Sequence, residues 1–480
     1  MIHRHIGLAL LVTLLLGAIG DAAPVAFIDV NDARGVPPAP DANGNYWNAI
    51  TSGNLGTNVA LTSTSNVSTG WTVNWSLQGS GGAGLSGGLD NPIPAPAPFD
   101  VQQAYADSWY DNARGAGYAE VTFSGLDSSL PYRLSFWGAR PSSGVPGTVT
   151  VTEGAAAGGP VLHLPQASLR ALEILPSTSG DITFTFDKGI AGGSSTGTAD
   201  ISLMSLEQIP QFTYGLAYDY NAADNAGAAS GTWQNAVAGT TPQRTWDFIG
   251  GSSATPVLAS HGANLAYWAH HFGPNGDIPA GAYTGSFGNS AIGGSGTSAP
   301  DATFEFWIKP SDFTSNQIIF ETGGATNGAV LALEGDTLRW NLRRNNNDLL
   351  VSSALPSESL GDFLHVVGTV RNDWDVVEGE RFIRLYVNGS LMDSLDTASD
   401  WTFGTDPAGL GTINSEVARY GDFLDFDGFI ARARFYNRAA TGAEVAGFYG
   451  EFLAAAIPEP GTGLLLLAAL ACGMLVRRRR

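Results

Sequence analysis

The chain of 480 residues contains one cysteine, Cys472, and it lies in an apolar run near the C-terminus. The body therefore has no disulfide, no thiolate zinc site and no cysteine nucleophile. A chain of this size can be held together by core burial alone. Lysine is almost missing as well: Lys188 and Lys309 are the only two, which nearly excludes Schiff-base chemistry. Charged residues make up 14% of the chain, and 44 acids against 23 bases give a formal net charge of −21. Such a balance repels nucleic acid and anionic membrane surfaces, so no nucleic-acid partner is expected. It suits solubility outside a cell, or divalent cations. No Gly-x-Ser-x-Gly elbow occurs, and the glycine-rich runs lack the lysine and the strand–helix context of a phosphate loop.

Turn formers are abundant, with 62 Gly and 25 Pro, and hydrophobic residues reach 44%. The combination predicts an all-β chain with affordable cores. Residues 24–210 read as one unit. Runs such as Ala119-Glu-Val-Thr-Phe123, Thr148-Val-Thr-Val151 and Asp181-Ile-Thr-Phe-Thr-Phe186 alternate with period two, the signature of half-buried strands. Several of them, separated by turn clusters, predict an antiparallel β-sandwich. A short helix is expected over Leu164 to Leu172. Residues 211–454 form a second unit with its own strands, among them Ala302–Ile308, His365–Val370, Phe382–Val387 and Gly428–Tyr436. Asn388-Gly389 predicts a two-residue hairpin turn, because type I′ needs positive φ at both positions. Thr441 followed by Glu444 predicts a capping box at a helix start. Ala222 to Gly231 and Gly273 to Pro300 read as long surface loops.

The two ends read as addresses. Arg4 precedes an apolar run from Ile6 to Ile19, and small residues follow at Gly20, Ala22 and Ala23. That order is a secretory signal peptide over residues 1–23. Residues 457–480 carry Pro458-Glu459-Pro460, an apolar stretch over Gly461 to Val476, and Arg477, Arg478, Arg479 and Arg480. As a helix the stretch would span roughly 24 Å, short of the ~30 Å hydrocarbon core. Snorkelling arginines would let it reach across. The positive-inside rule keeps them cytoplasmic, and the prolines leave an extended segment just outside.

This tripartite tail resembles the PEP-CTERM sorting signal of Gram-negative bacteria. The resemblance implies a transmembrane sorting helix and processing near Pro460 by an exosortase, an integral-membrane transpeptidase-like enzyme. It also implies export through the inner membrane to the cell surface or extracellular space, in a setting of exopolysaccharide and biofilm. Within 24–210, the strand–turn–strand Glu120 to Gly138 and the opening Phe27-Ile-Asp-Val30 with Asn45-Tyr-Trp-Asn48 resemble galactose-binding-like sandwiches. Within 211–454, Phe304-Glu-Phe-Trp-Ile-Lys-Pro310, His365 to Val370, Leu385-Tyr-Val-Asn-Gly-Ser390 and Asp427 to Ala439 resemble the LamG-like, concanavalin-type jelly roll, in that family's order. Where many relatives carry Asp after the final-strand Ile, this chain has Ala431, which puts any cation role of that position in doubt here.

Glycosidases on such a fold need two facing carboxylates. The matching strand offers Glu305 alone, sharing a face with Trp307, and a lone strand glutamate is expected to be solvated. Asp422, Asp425 and Asp427 are the densest acidic group. Asp425 and Asp427, expected on one strand face, and Asp219, expected in a loop with Asn221, Asp224 and Asn225, are the candidate Ca²⁺ ligands, since Ca²⁺ wants several oxygens. His270 and His271 cannot chelate one ion from a strand, where neighbours face opposite ways, and a loop is their expected place. Trp71 with Trp75, or Tyr105 with Trp109 and Tyr110, would form a sugar-stacking platform if exposed and core if not. The expectation is a non-catalytic exported protein binding polysaccharide or a surface partner. A hydrolase or lyase with an atypical site and a structural protein–protein adhesin stand as the alternatives.

Overall fold

The computed structural model describes residues 25–458 apart from 31–36, 80–82, 86–93, 98, 106–107, 112–116, 139–146, 158–159, 165–168, 189–198, 211–212, 227–228, 238–243, 264, 286, 288–300, 346, 357–358, 373–380, 398–405 and 415–419. Residues 1–24, which hold the expected signal peptide, and 459–480, which hold most of the expected sorting signal, lie outside the described residues. Among the described residues no helix is long and apolar enough to cross a membrane. The chain divides into two compact units, Met1–Tyr214 and Gly215–Arg480.

In the first unit two six-stranded sheets face each other. One runs Ala155–Ala156, Arg170–Leu175, Tyr132–Trp137, Leu203–Gln208, Val25–Val30, Trp47–Ile50. The other runs Val161–Leu164, Gly147–Glu153, Ile182–Lys188, Gly117–Ser124, Ser68–Gly79, Val59–Thr62. Period two sends Val149, Val151, Phe184, Phe186, Val121 and Phe123 into the space between them, and the intervening Thr, Ser and Glu residues out. The expected helix over Leu164 to Leu172 is not formed in the described part of that stretch. Val161–Leu164 and Arg170–Leu175 are strands, because pairing with neighbours buries Leu164, Leu172 and Ile174 in the core. The outer face of the first sheet is covered: Phe27, Trp47, Trp137 and Leu203 pack beneath Phe99, Val101 and Tyr105.

The second unit is also a pair of sheets. The strands Gly428–Tyr436, Ala302–Pro310, Leu364–Arg371 and Phe382–Val387 lie side by side in one of them, flanked by Leu265–Phe272 and Ser390–Asp396. These are the blocks that carry the jelly-roll resemblance. The other sheet runs from Thr232–Gln234 through Gln317–Gly323, Gly328–Glu334 and Thr337–Arg344 to Asn347–Ala354. Phe304, Phe306, Phe320, Trp340 and Phe435 fill the space between. Gly368 is required there: a Cβ would stand 2.7 Å from the Trp340 indole. Asn388 and Gly389 both have positive φ, 50° and 75°, and make the tight hairpin between Phe382–Val387 and Ser390–Asp396.

Both outer faces of this unit are covered. The helix Gly442–Ala455 opens with the Thr441–Glu444 capping box and lays Val445, Phe448 and Phe452 down as buried residues. It covers Trp307, Tyr267, Phe363 and Ala431. On the other sheet, Ile413, Tyr420 and Phe423 pack onto Ile318, Val330 and Ala332. After the helix, Ile457–Pro458 pairs antiparallel with Leu265 and Ala266.

Candidate functional site

The residues under the C-terminal helix form a charged cluster. Phe304, Phe306 and Ile308 face the core, so Glu305 and Trp307 point outward, where the helix encloses them. Antiparallel register sets Arg434 directly beside Glu305 on one side and beside Asp219 on the other, with Arg432 beside Trp307. Arg432, Arg434 and Tyr436 alternate with core-facing Ala433 and Phe435, so all three share the enclosed face.

The hydrogen bonds are dense. Glu305 Oε1 accepts from Trp307 Nε1 at 2.8 Å and from His365 Nε2 at 3.1 Å. Its Oε2 accepts from Tyr436 Oη at 2.7 Å and lies 3.5 Å from Arg434 Nη1. Glu451, on the helix, receives both Arg434 Nη groups at 2.6 and 2.5 Å and Arg432 Nη1 at 3.0 Å. Asp219 receives Arg432 Nε at 2.8 Å and Nη2 at 2.5 Å. The side chains of Glu305, His365 and Arg434 are 0% exposed.

Burial by itself would raise the Glu305 carboxyl. The Arg434 charge and the hydrogen bonds from His365 and Trp307 prevail and hold it well below the usual carboxylate range. Tyr436 moves the other way, its phenol pushed far up by burial and by the Glu305 charge. Glu305 is thus an ionised carboxylate with both oxygens engaged and no approach from solvent. It can neither donate a proton to a glycosidic oxygen nor activate a water. It is buried rather than solvated because the helix closes over a face that the strand pattern leaves polar.

The three expected calcium ligands are not brought together. Asp219 lies in the strand Leu216–Asn221 rather than in a loop, and its carboxylate is clasped by Arg432. Asp425 is exposed in Leu424–Asp425, paired with the opposite sheet. Asp427 precedes the strand Gly428–Tyr436, so it shares no strand with Asp425. Asp422 is exposed. Among the described residues no group of three or more His, Cys, Asp or Glu is placed to hold a metal ion.

His270 and His271 occupy the strand Leu265–Phe272, not a loop. His270 faces the core, edge-on to Trp233 at 4.8 Å and Phe248 at 5.3 Å, while His271 stacks on Phe429 at 4.2 Å. Trp71, Trp75 and Tyr105 are buried and form no platform; the side chains of Trp109 and Tyr110 lie outside the described residues. Ala431 packs beneath the helix with Trp307 and Phe452, an apolar role with no cation chemistry. Pro458 lies in the short terminal strand, while Glu459, Pro460 and Arg477 to Arg480 lie outside the described residues.

Sequence reasoning missed Arg432, Arg434, Tyr436, His365 and Glu451 as one cluster. The signal was present: two arginines at period two inside an otherwise apolar strand require acidic partners on the same face.

Residues 284–446 match the concanavalin A-like lectin/glucanases superfamily. No curated protein sequence matches the chain. Among solved structures, the CBM40 of Ruminococcus gnavus IT-sialidase, bound to α2,3-sialyllactose, is similar with 15% identity and a TM-score of 0.28, covering 35% of this chain and 92% of that one. The ligand-binding domain of botulinum neurotoxin serotype D, in complex with N-acetylneuraminic acid, shows 11% identity and a TM-score of 0.34, covering 49% of this chain and 51% of that one. The receptor-binding domain of botulinum neurotoxin type G shows 11% identity and a TM-score of 0.31, over 49% of this chain and 51% of that one. The chain thus spans about half the length of these neurotoxin structures. Identity and superposition at this level do not extend those proteins' ligands to this chain.

Proposed function

We propose that this chain is a non-catalytic carbohydrate-binding protein of the cell surface or extracellular matrix. The observation that carries the proposal is the state of Glu305. The family matched by residues 284–446 takes in both lectins and glucanases. A glucanase needs an accessible acid and a base or nucleophile across the scissile bond. The only carboxylate that the sequence offered at the matching strand is enclosed, ionised and fully hydrogen-bonded. That favours the lectin side of the family.

The location rests on the two ends. Residues 1–23 would direct export. The tail, with Pro458, Glu459, Pro460 and the four terminal arginines, would hold the chain in the inner membrane until an exosortase processes it. The partner in this reading is an extracellular polysaccharide of the exopolysaccharide matrix.

The experiment is retention of the purified protein on immobilised polysaccharides, followed by assay of the same material for new reducing ends. Saturable retention with no reducing ends is the expected result. New reducing ends would replace the proposal with a hydrolase, unsaturated ends with a lyase. Absence of retention on every polymer, together with self-association, would replace it with a protein adhesin.

A further inference from the structure

The two six-stranded and two nine-stranded sheets present four faces away from the two cores. Three of them lie under apolar cover: Ala95, Phe99, Val101 and Tyr105 on one sheet of the first unit, and the C-terminal helix and Ile413, Tyr420 and Phe423 on the two sheets of the second. The fourth, on the sheet from Val161–Leu164 to Val59–Thr62, carries no such cover among the described residues. Its outward side chains there are exposed or half-buried, Thr183 apart at 8%.

Two rows of that face are built mainly of hydroxyl and carboxamide groups, and a third carries His163, Thr148 and Asp187. One row across the strands reads Val161, Thr150, Thr185, Glu120, Ser76, each directly beside the next. The next row reads Glu153, Thr183, Thr122, Asn74. Five strands at ~4.8 Å spacing give the first row a span of roughly 19 Å. The hydroxyls and carboxamides are partly tied to each other, Thr122 to Thr183 at 3.0 Å and Asn74 to Asn58 at 3.0 Å. Each hydroxyl can still donate and accept. Among the described residues no lysine or arginine side chain lies on this face and Glu120 makes no ion pair. The large apolar side chains on it, Val161 at 49% and Tyr118 at 39% exposed, belong to different rows and give no continuous apolar patch.

We infer that this face of the first unit is the carbohydrate-binding surface, and that its ligand is an extended, uncharged polysaccharide. The inference rests on the carbohydrate-binding reading above and adds the place and the ligand class. A polyanion would meet Glu120, Glu153 and Asp187 with no described lysine or arginine side chain on the face. An apolar protein partner would find no apolar area to bury. A neutral polyhydroxylated chain laid along a row meets groups that match its own donors and acceptors. Single contacts of this kind are weak. Binding therefore accumulates along the polymer, and short fragments compete poorly.

The test uses the purified full-length protein and affinity electrophoresis through gels containing soluble neutral glucan, neutral mannan or, for comparison, a polyuronate. The T185K/S76K variant places two long cations in the first row, and Thr150→Lys is the second variant should the double one fail to fold. The expected result is retardation by a neutral polymer, weakened about tenfold in either variant, or ~1.4 kcal/mol. Leu391→Lys, on the exposed hairpin of the second unit, should leave retardation unchanged. Retardation that survives the first-row variants overturns the placement but leaves the carbohydrate-binding reading intact. Preferential retardation by the polyuronate overturns the ligand class. No retardation by any polymer removes the carbohydrate-binding reading itself.

Discussion

Arg434 stands directly across the ladder from Glu305, with its guanidinium 3.5 Å from the carboxylate and neither side chain exposed to solvent. Breaking one partner of such a pair strands the other charge in a medium that cannot solvate it. Arg434→Met should therefore cost about 3–5 kcal/mol in urea-induced unfolding of the jelly roll. The double variant Glu305→Gln with Arg434→Met should cost less than the sum of the two single ones. Additive costs would show that the two groups are not coupled.

Glu451 ties the helix Gly442–Ala455 to both Arg432 and Arg434. Glu451→Gln keeps the shape and removes the charge. Amide exchange over residues 442–455 should speed up several-fold while exchange in the core strand Ala302–Pro310 stays slow. Equal acceleration in both would mean that the helix and sheet open together.

Thr441 caps that helix, with its hydroxyl accepting from the Glu444 backbone. Thr441→Ala should lower stability by ~1 kcal/mol, and Thr441→Ser by much less. A thermal melt of both variants checks this.

His270 has no hydrogen-bond partner for either ring nitrogen among the described residues, and burial pushes it down to about 4. In the unfolded chain it takes a proton near pH 6.5. Between these values the unfolded state binds more protons, so stability falls as pH drops from ~6.5 to ~4, by roughly 3 kcal/mol. His270→Phe should flatten that segment of the stability–pH curve. A further decline at still lower pH should remain, because Glu305 is held below its ordinary range and its contribution drains only as it is protonated. An unchanged curve between pH 6.5 and 4 would place the acid sensitivity elsewhere.

Gly368→Ala drives a methyl group against Trp340. Overpacking of this kind costs about 1–3 kcal/mol. A smaller loss on urea unfolding would mean that the indole shifts freely.

Much of this architecture was legible in the residues. Thr148-Val-Thr-Val151 alternates because its hydroxyls face out and its valines face in, and the structure keeps that register. Asn388-Gly389 and Thr441–Glu444 carry their geometry locally, so no distant contact was needed to read them. Arg170–Leu175 was not readable in this way. Leucine and alanine favour a helix in isolation, and strand pairing with Tyr132–Trp137 overrides that preference. The cluster around Glu305 was illegible for a different reason. Asp219 and Arg432 lie 213 positions apart, and the cover that buries them comes from a helix near the end of the chain. Burial of a strand's polar face depends on what packs over it, and no local pattern records that.

The antiparallel pairing of Ile457–Pro458 with Leu265 and Ala266 sets a load path. Tension applied to the chain past Pro458 reaches that two-residue pairing first. Next in line is the helix, which Glu451 rivets to two arginines. The two-residue pairing is thus the contact that such tension would open first, while the helix, with Val445, Phe448 and Phe452 buried, is the firmer attachment.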